Sequence, residues 1–129
     1  MTREEFEQLV NAGIEAIPEK FLKLLNNVAI VIDDIPTANQ AKKAKLRHGF
    51  VLYGLYEGVP LSKRINYSGV LPDKITIFQK AIENASSDHE EIKEMVRNTV
   101  WHEIAHHFGM DEDEVRTAEQ KRLARKDQA

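Results

Sequence analysis

The sequence predicts a single α+β domain in which a small sheet of about three strands packs on one long helix near the C-terminus. Three short runs rich in β-branched and aromatic residues predict the strands, at 28–33, 50–56 and 74–79. Apolar residues at helical spacing predict the long helix at 88–108. The 129 residues suffice for one domain, 1–129, with its own core, and leave no room for a second.

The first 25 residues predict two amphipathic helices that support the sheet. Thr2 and Glu5 have the spacing of a capping box, and Pro18 fits the first turn of a second, shorter helix. The apolar positions of the first helix recur at helical spacing: Phe6, Leu9, Val10, Ile14 and Ile17. We therefore expect this apolar stripe to form core.

The three predicted strands differ in pattern. The run at 28–33 is almost continuously apolar, which indicates a buried strand, and the Asp33–Pro36 segment then predicts a turn. In the second strand, Gly54 indicates a bulge or a close approach of another backbone. The third strand alternates, which predicts one solvent-facing side.

The long helix carries the residues with the clearest chemistry. Asp88 and Glu91 predict its start and Gly109 its end. Inside it, His102-Glu103-Ile104-Ala105-His106 has the H-E-x-x-H pattern, which places the two histidines about 40° apart on one face, where they can share a Zn²⁺ ion. Glu103 lies beside that face and can act as general base toward water. A helix that carries these residues by chance is the alternative, but such polar groups are costly in a core without a metal.

Residues 102–112, H-E-I-A-H-H-F-G-M-D-E, resemble the H-E-x-x-H-x-x-G-x-x-(H/D) signature of metzincins and Asp-zincins. More closely, the chain resembles a small bacterial family of zincin-like metallopeptidases with a minimal matrix-metalloprotease-like domain, on the segments 53–61, 69–78 and 102–111. The resemblance implies a zincin-like fold, a zinc cofactor and hydrolysis of a peptide or protein substrate. It also implies that residues 75–78 form the sheet edge that lines the cleft.

A catalytic zinc ion usually has three protein ligands. The resemblance assigns the third ligand to Glu112, where the signature has His or Asp, and Asp111 or Asp113 are alternatives. Glu112 also fits the first turn of a following helix, a role that needs no metal. His107 lies about 140° from His102 around the helix, so we expect it to face away from the metal.

Composition limits the partners. The formal net charge of −3 argues against nucleic acid, and the basic segment from Asn39 to His48 is read as a solvated helix or loop. The chain has no cysteine, no signal-peptide pattern and no apolar stretch of membrane-spanning length, so we expect a cytoplasmic protein without membrane contact. The rival functions are a non-catalytic, zinc-stabilised module that binds peptides or proteins, and a metal-dependent nuclease.

Overall fold

The computed structural model describes residues 1–25, 27–44, 51–58, 73–109 and 117. The described residues form helices and the strands of a small mixed sheet, which gives the α+β class predicted from the sequence. In chain order they are α1 (Arg3–Glu15), α2 (Glu19–Leu22), β1 (Val28–Asp33), α3 (Ala38–Lys43), β2 (Gly54–Glu57), β3 (Asp73–Phe78), α4 (Gln79–Ala85) and α5 (His89–His107).

The strands form one mixed sheet in the order β1-β3-β2. β1 runs parallel to β3, with Ile30 opposite Ile75, and β2 runs antiparallel to it, with Gly54 opposite Ile77. The expectation that β3 forms a sheet edge is therefore wrong, because a strand lies on each side of it. The expectation of a wet face on β3 is also wrong, since Lys74 is its single exposed residue.

The two flanking strands also correct the sequence interpretation. β1 has the predicted bounds, but its residues are half-buried or exposed rather than buried. Among the described residues it pairs on one side alone, with β3, which explains this exposure. β2 begins at Gly54, later than predicted, and Val51 before it is 56% exposed. Phe50 lies outside the described residues.

The core lies between the sheet, α1 and α5. Phe6 and Val10 of α1 are buried together with Ile75 and Ile77 of β3. The side chain of Thr2 accepts a hydrogen bond from the Glu5 amide, so the predicted cap of α1 is confirmed. From α5 the core receives Val96, Val100 and Ile104. The prediction that N-terminal helices support the sheet and the long helix is thus confirmed.

Both ends of α5 follow the sequence signals. Asp88 accepts a hydrogen bond from the Glu91 amide at the start, and Phe108 caps the other end. Gly109 then adopts a φ of 96°, a conformation that favours glycine. This turn directs the chain away from the helix axis directly after the histidines.

The smaller helix α3 is connected to the end of β2 by side-chain hydrogen bonds. It begins with a complete capping box between Thr37 and Gln40, and Gln40 also donates a hydrogen bond to Glu57 of β2. The basic segment is thus helical up to Lys43, and residues 45–48 lie outside the described part. Nowhere in the described residues is there a helix with the length and apolar character needed to span a membrane.

Candidate metal centre

The two histidines of the motif present their ring nitrogens to each other. The Nε2 atoms of His102 and His106 are 3.3 Å apart, and the rings meet edge to face at a centroid distance of 5.0 Å. Two nitrogens at 2.0–2.1 Å from a tetrahedral zinc ion would be separated by about 3.3 Å. The separation of the two donor atoms is therefore the one that a tetrahedral Zn²⁺ site requires.

Glu103 lies on the neighbouring face of α5, between the helix and the sheet. It is 7% exposed and falls about 60° around the helix from His106. The helix period places Glu103 next to the histidine face, and burial packs its stem between α5 and the sheet. This is the placement expected of a general base that must reach a water molecule beside a metal.

Gly54 of β2 allows this close packing of α5 on the sheet. A β-carbon at that position would lie 2.5 Å from Thr99 Cγ2 and 3.1 Å from Glu103 Cγ. The first distance is shorter than carbon atoms tolerate, so a larger residue would push α5 away from β2. Of the two predicted alternatives at Gly54, a bulge or a close approach, the structure shows a close approach, and it is made by the side chains of Thr99 and Glu103 rather than by the backbone of the helix.

His107 faces away from the histidine pair, as predicted. It is fully buried, and its Nδ1 lies 3.0 Å from Oδ2 of Asp73, the first residue of β3. The hydroxyl of Tyr56 donates a hydrogen bond to the same oxygen, and its ring meets that of His107 edge to face. We call Tyr56, Asp73 and His107 the buried polar triad.

Sequence reasoning missed this triad. Asp73 directly precedes the third predicted strand, and residue type alone makes Tyr56 and Tyr67 candidate oxyanion donors. The hydroxyl of Tyr56 instead bonds the Asp73 carboxylate. An acid directly before an apolar β run is a usable signal, because a buried carboxylate must find donors. Tyr67, another such candidate, lies outside the described residues.

The third metal ligand stays a prediction. Glu112 and its alternatives Asp111 and Asp113 fall outside the described residues. Within the part of the chain that is described, no cluster of three or more His, Cys, Asp or Glu side chains could hold a metal ion. The described site thus consists of two nitrogen donors and the adjacent Glu103, with a turn at Gly109 directly after the helix.

Comparison with known proteins identifies the fold that carries this site. The family model described as zincin-like metallopeptidase matches residues 25–122. The chain belongs to this zincin-like metallopeptidase family. The match runs from before β1 to beyond α5, so it includes the sheet and both motif histidines, and it confirms the family resemblance inferred from the sequence.

A solved structure supports the fold assignment for this zincin-like chain. A conserved hypothetical protein from Thermus thermophilus superposes with a TM-score of 0.52 and 22% sequence identity, over 82% of this chain and 92% of that one. At this level of identity the likeness concerns the fold alone. Comparison with curated proteins gave no match.

Proposed function

We propose that this protein is a zinc-dependent peptidase that hydrolyses peptide bonds with Glu103 as general base. The observation that carries the proposal is the 3.3 Å separation of the His102 and His106 Nε2 atoms, with Glu103 packed beside them. Membership of the zincin-like metallopeptidase family supports peptide bonds as the bonds that are cleaved.

Each residue of the site has a distinct role in this proposal. His102 and His106 would hold the zinc ion, and Glu112 would complete the ligand set, with Asp111 or Asp113 as alternatives. A zinc ion bound there supplies Lewis-acid activation of water and of the scissile carbonyl. Glu103 accepts the proton of the attacking water and passes it to the leaving amine. Its contact with Gly54 restricts its movement, so it is oriented before substrate arrives.

The sheet suggests where an extended substrate would lie. An extended peptide can add to a sheet edge through main-chain hydrogen bonds. In the described sheet β2 is an edge strand, and its Gly54 lies against Glu103. We therefore assign substrate pairing to β2, in place of β3, which is central. The sequence of the substrate is left to experiment.

The decisive experiment compares Glu103→Gln with wild type in a fluorogenic peptide library and in a zinc-binding assay. The amide keeps the size of the side chain but cannot accept the proton, so we expect unchanged zinc content and a loss of turnover of about 10²–10⁴-fold. Glu90→Gln, an exposed change in the first turn of the same helix, is the matched control. Turnover at the wild-type rate in Glu103→Gln would contradict the role assigned to Glu103.

A non-catalytic zinc-stabilised binding module is the second candidate. The observation that favours it is the burial of Glu103, which is 7% exposed. For such a module, zinc removal would lower the melting temperature, no peptide of the library would be cleaved, and Glu103→Gln would bind a peptide partner as well as wild type does. Cleavage that depends on Glu103 would exclude this candidate.

A further inference from the structure

The buried polar triad lies one residue beyond a proposed metal ligand, and the proposed chemistry does not use it. His107 is the last residue of α5 and directly follows His106. Both His107 and Asp73 are essentially inaccessible to solvent, at 0% and 1% exposure. A buried carboxylate and imidazole in contact must hydrogen-bond each other well, because neither can be solvated there. Their geometry is therefore specific rather than incidental.

Asp73 is itself held firmly. Its amide donates a hydrogen bond of 2.8 Å to the carbonyl of Asn27, just before β1, and its carboxylate accepts from Tyr56 on β2. It is thus tied to both flanking strands as well as to α5. A side chain fixed from three directions provides a rigid anchor for the last turn of the helix.

The angular order of side chains around α5 shows what this anchor controls. Taking His102 as zero, His106 lies at about 40°, Glu103 at about 100° and His107 at about 140°. Glu103 and His107 therefore face the sheet one turn apart, the first against Gly54 and the second against Asp73. Two contacts on one face, one turn apart, fix the rotation of the helix about its axis. With His107 held against the sheet, the last turn of α5 stays helical, and His106 keeps its place one turn from His102.

We infer that Asp73 is a positioning residue for the metal centre: its hydrogen bond to His107 holds the last turn of α5 against the sheet and keeps it helical, so that His106 stays one turn from His102. Asp73 does not touch the metal or the substrate. The inference rests on the proposed function, because it takes His102 and His106 as the metal ligands.

The test measures zinc affinity in folded variants, by competition with a chelator at one fixed pH. Asp73→Leu keeps the approximate volume and removes every hydrogen bond of the side chain, so we expect zinc affinity to fall about 10- to 100-fold, as for other residues that orient metal ligands. Asp73→Asn retains an amide oxygen that can accept from Tyr56 and His107, so it should restore most of the affinity. Tyr56→Phe removes one hydroxyl and should give a smaller loss.

Val10→Ala is the matched control. Val10 is a buried residue of α1 and lies outside the triad. Its truncation to alanine should destabilise the core. A structural effect alone would lower the melting temperature of Val10→Ala and Asp73→Leu alike and leave the zinc affinity of both folded proteins unchanged. Our inference predicts that Asp73→Leu loses affinity and that Val10→Ala does not.

A second readout uses the metal-free protein. Hydrogen exchange of the Phe108 amide, which bonds to the Ile104 carbonyl, reports opening of the last turn of α5. We expect faster exchange there in Asp73→Asn and Tyr56→Phe, with exchange at Val96 unchanged. These two variants decide the question if Asp73→Leu does not fold. Wild-type zinc affinity together with wild-type exchange in both would overturn the inference.

The outcomes separate this inference from the proposed function. A wild-type protein that binds no zinc contradicts both. A wild-type protein that binds zinc through His102 and His106, with affinity indifferent to Asp73, contradicts the positioning role alone. Zinc binding that depends on Asp73 without any peptide cleavage supports the positioning role and contradicts the proposed catalysis.

Discussion

The two halves of α5 are held to the rest of the protein by different interactions. In the first half, Val96 and Val100 are fully buried against the core, and Gly13 of α1 lies close to the helix at Arg97. In the second half, from Trp101 on, polar residues face the sheet beside the buried Ile104: Glu103 lies against Gly54 and His107 against Asp73. Apolar burial is non-directional, whereas hydrogen bonds require fixed angles. The first half therefore supplies stability and the second half fixes geometry.

Aromatic packing holds a further side of the second half. Phe21 of α2 meets Trp101 edge to face at 5.9 Å and also contacts Phe108 at 6.0 Å. These contacts and the buried polar triad lie on different sides of the last turns, so the histidine pair occupies the side that is left. The metal face is thus defined by what packs on the other faces of the helix.

The largest expected effect on stability comes from the first region. Phe6→Ala removes a fully buried ring from the cluster that contains Val96 and Val100, so the free energy of unfolding should fall by about 3–5 kcal/mol. Zinc affinity of the folded protein should stay at the wild-type value, because Phe6 packs in the apolar cluster rather than with the polar residues in the second half of α5. Urea unfolding with zinc titration measures both. A large loss of affinity in the folded fraction would show that the two halves are not independent.

Gly54→Ala tests the second region with a smaller change. The added methyl group collides with Thr99 and crowds Glu103, so we expect a stability loss of about 1–3 kcal/mol. Displacement of the general base should also lower kcat/KM by about 10- to 100-fold, with zinc still bound. Steady-state kinetics and zinc analysis of the same sample measure this.

Gly13→Ala is the matched control for that variant. A β-carbon on Gly13 of α1 would lie 3.5–3.7 Å from atoms of Arg97 and Val100 of α5, which is ordinary van der Waals contact. Since alanine is also the better helix former, stability should hold or rise, and turnover should not change. Equal loss of turnover in both variants would contradict the division of α5 into two halves.

The smallest expected effect concerns Glu57 at the end of β2, near the polar half. Burial alone raises the pKa of Glu57, but hydrogen bonds from Lys43 and Gln40, with the charges of Lys43 and Lys74, outweigh it and lower the pKa below the ordinary value. Ionised Glu57 therefore stabilises the fold fully above the ordinary glutamate pKa of about 4.3. This contribution is lost as the pH falls through the lower pKa that Glu57 has in the folded state.

Glu57→Gln should remove that contribution. We expect a loss of less than about 1 kcal/mol at pH 7, because Lys43 is largely exposed, and no difference from wild type at a pH below the folded-state pKa. Urea unfolding across the acid range measures it, with exposed Glu15→Gln as control. A Glu57 variant with the same deficit at every pH would contradict the assigned ionisation.

Local signals account for what the sequence predicted. The cap at Asp88 and the turn at Gly109 bound α5, and the β-branched run at 28–33 bounds β1. Each of these signals involves residues that are close together in the sequence. The position of Gly54 against another element was also predicted, because a glycine inside a strand has few other uses.

Non-local pairing accounts for what the sequence could not predict. The central place of β3 depends on which strands pair with it, and no pattern within Asp73–Phe78 specifies that. The contact of Asp73 with His107 joins residues 34 positions apart, and neither residue has a local motif for it. The pairing of His102 with His106 was predictable because the helix period alone determines it. Glu112 as third ligand remains a prediction from family resemblance.

The zinc content of purified protein tests the central claim most directly. Wild type and His89→Ala, a change at the exposed first residue of α5, should each bind about one zinc ion per chain, and His102→Ala and His106→Ala should bind none at the same free-zinc concentration. Loss of zinc in Glu112→Ala as well would identify the third ligand. Zinc retained by His106→Ala, or no zinc bound by wild type after reconstitution, would contradict the account.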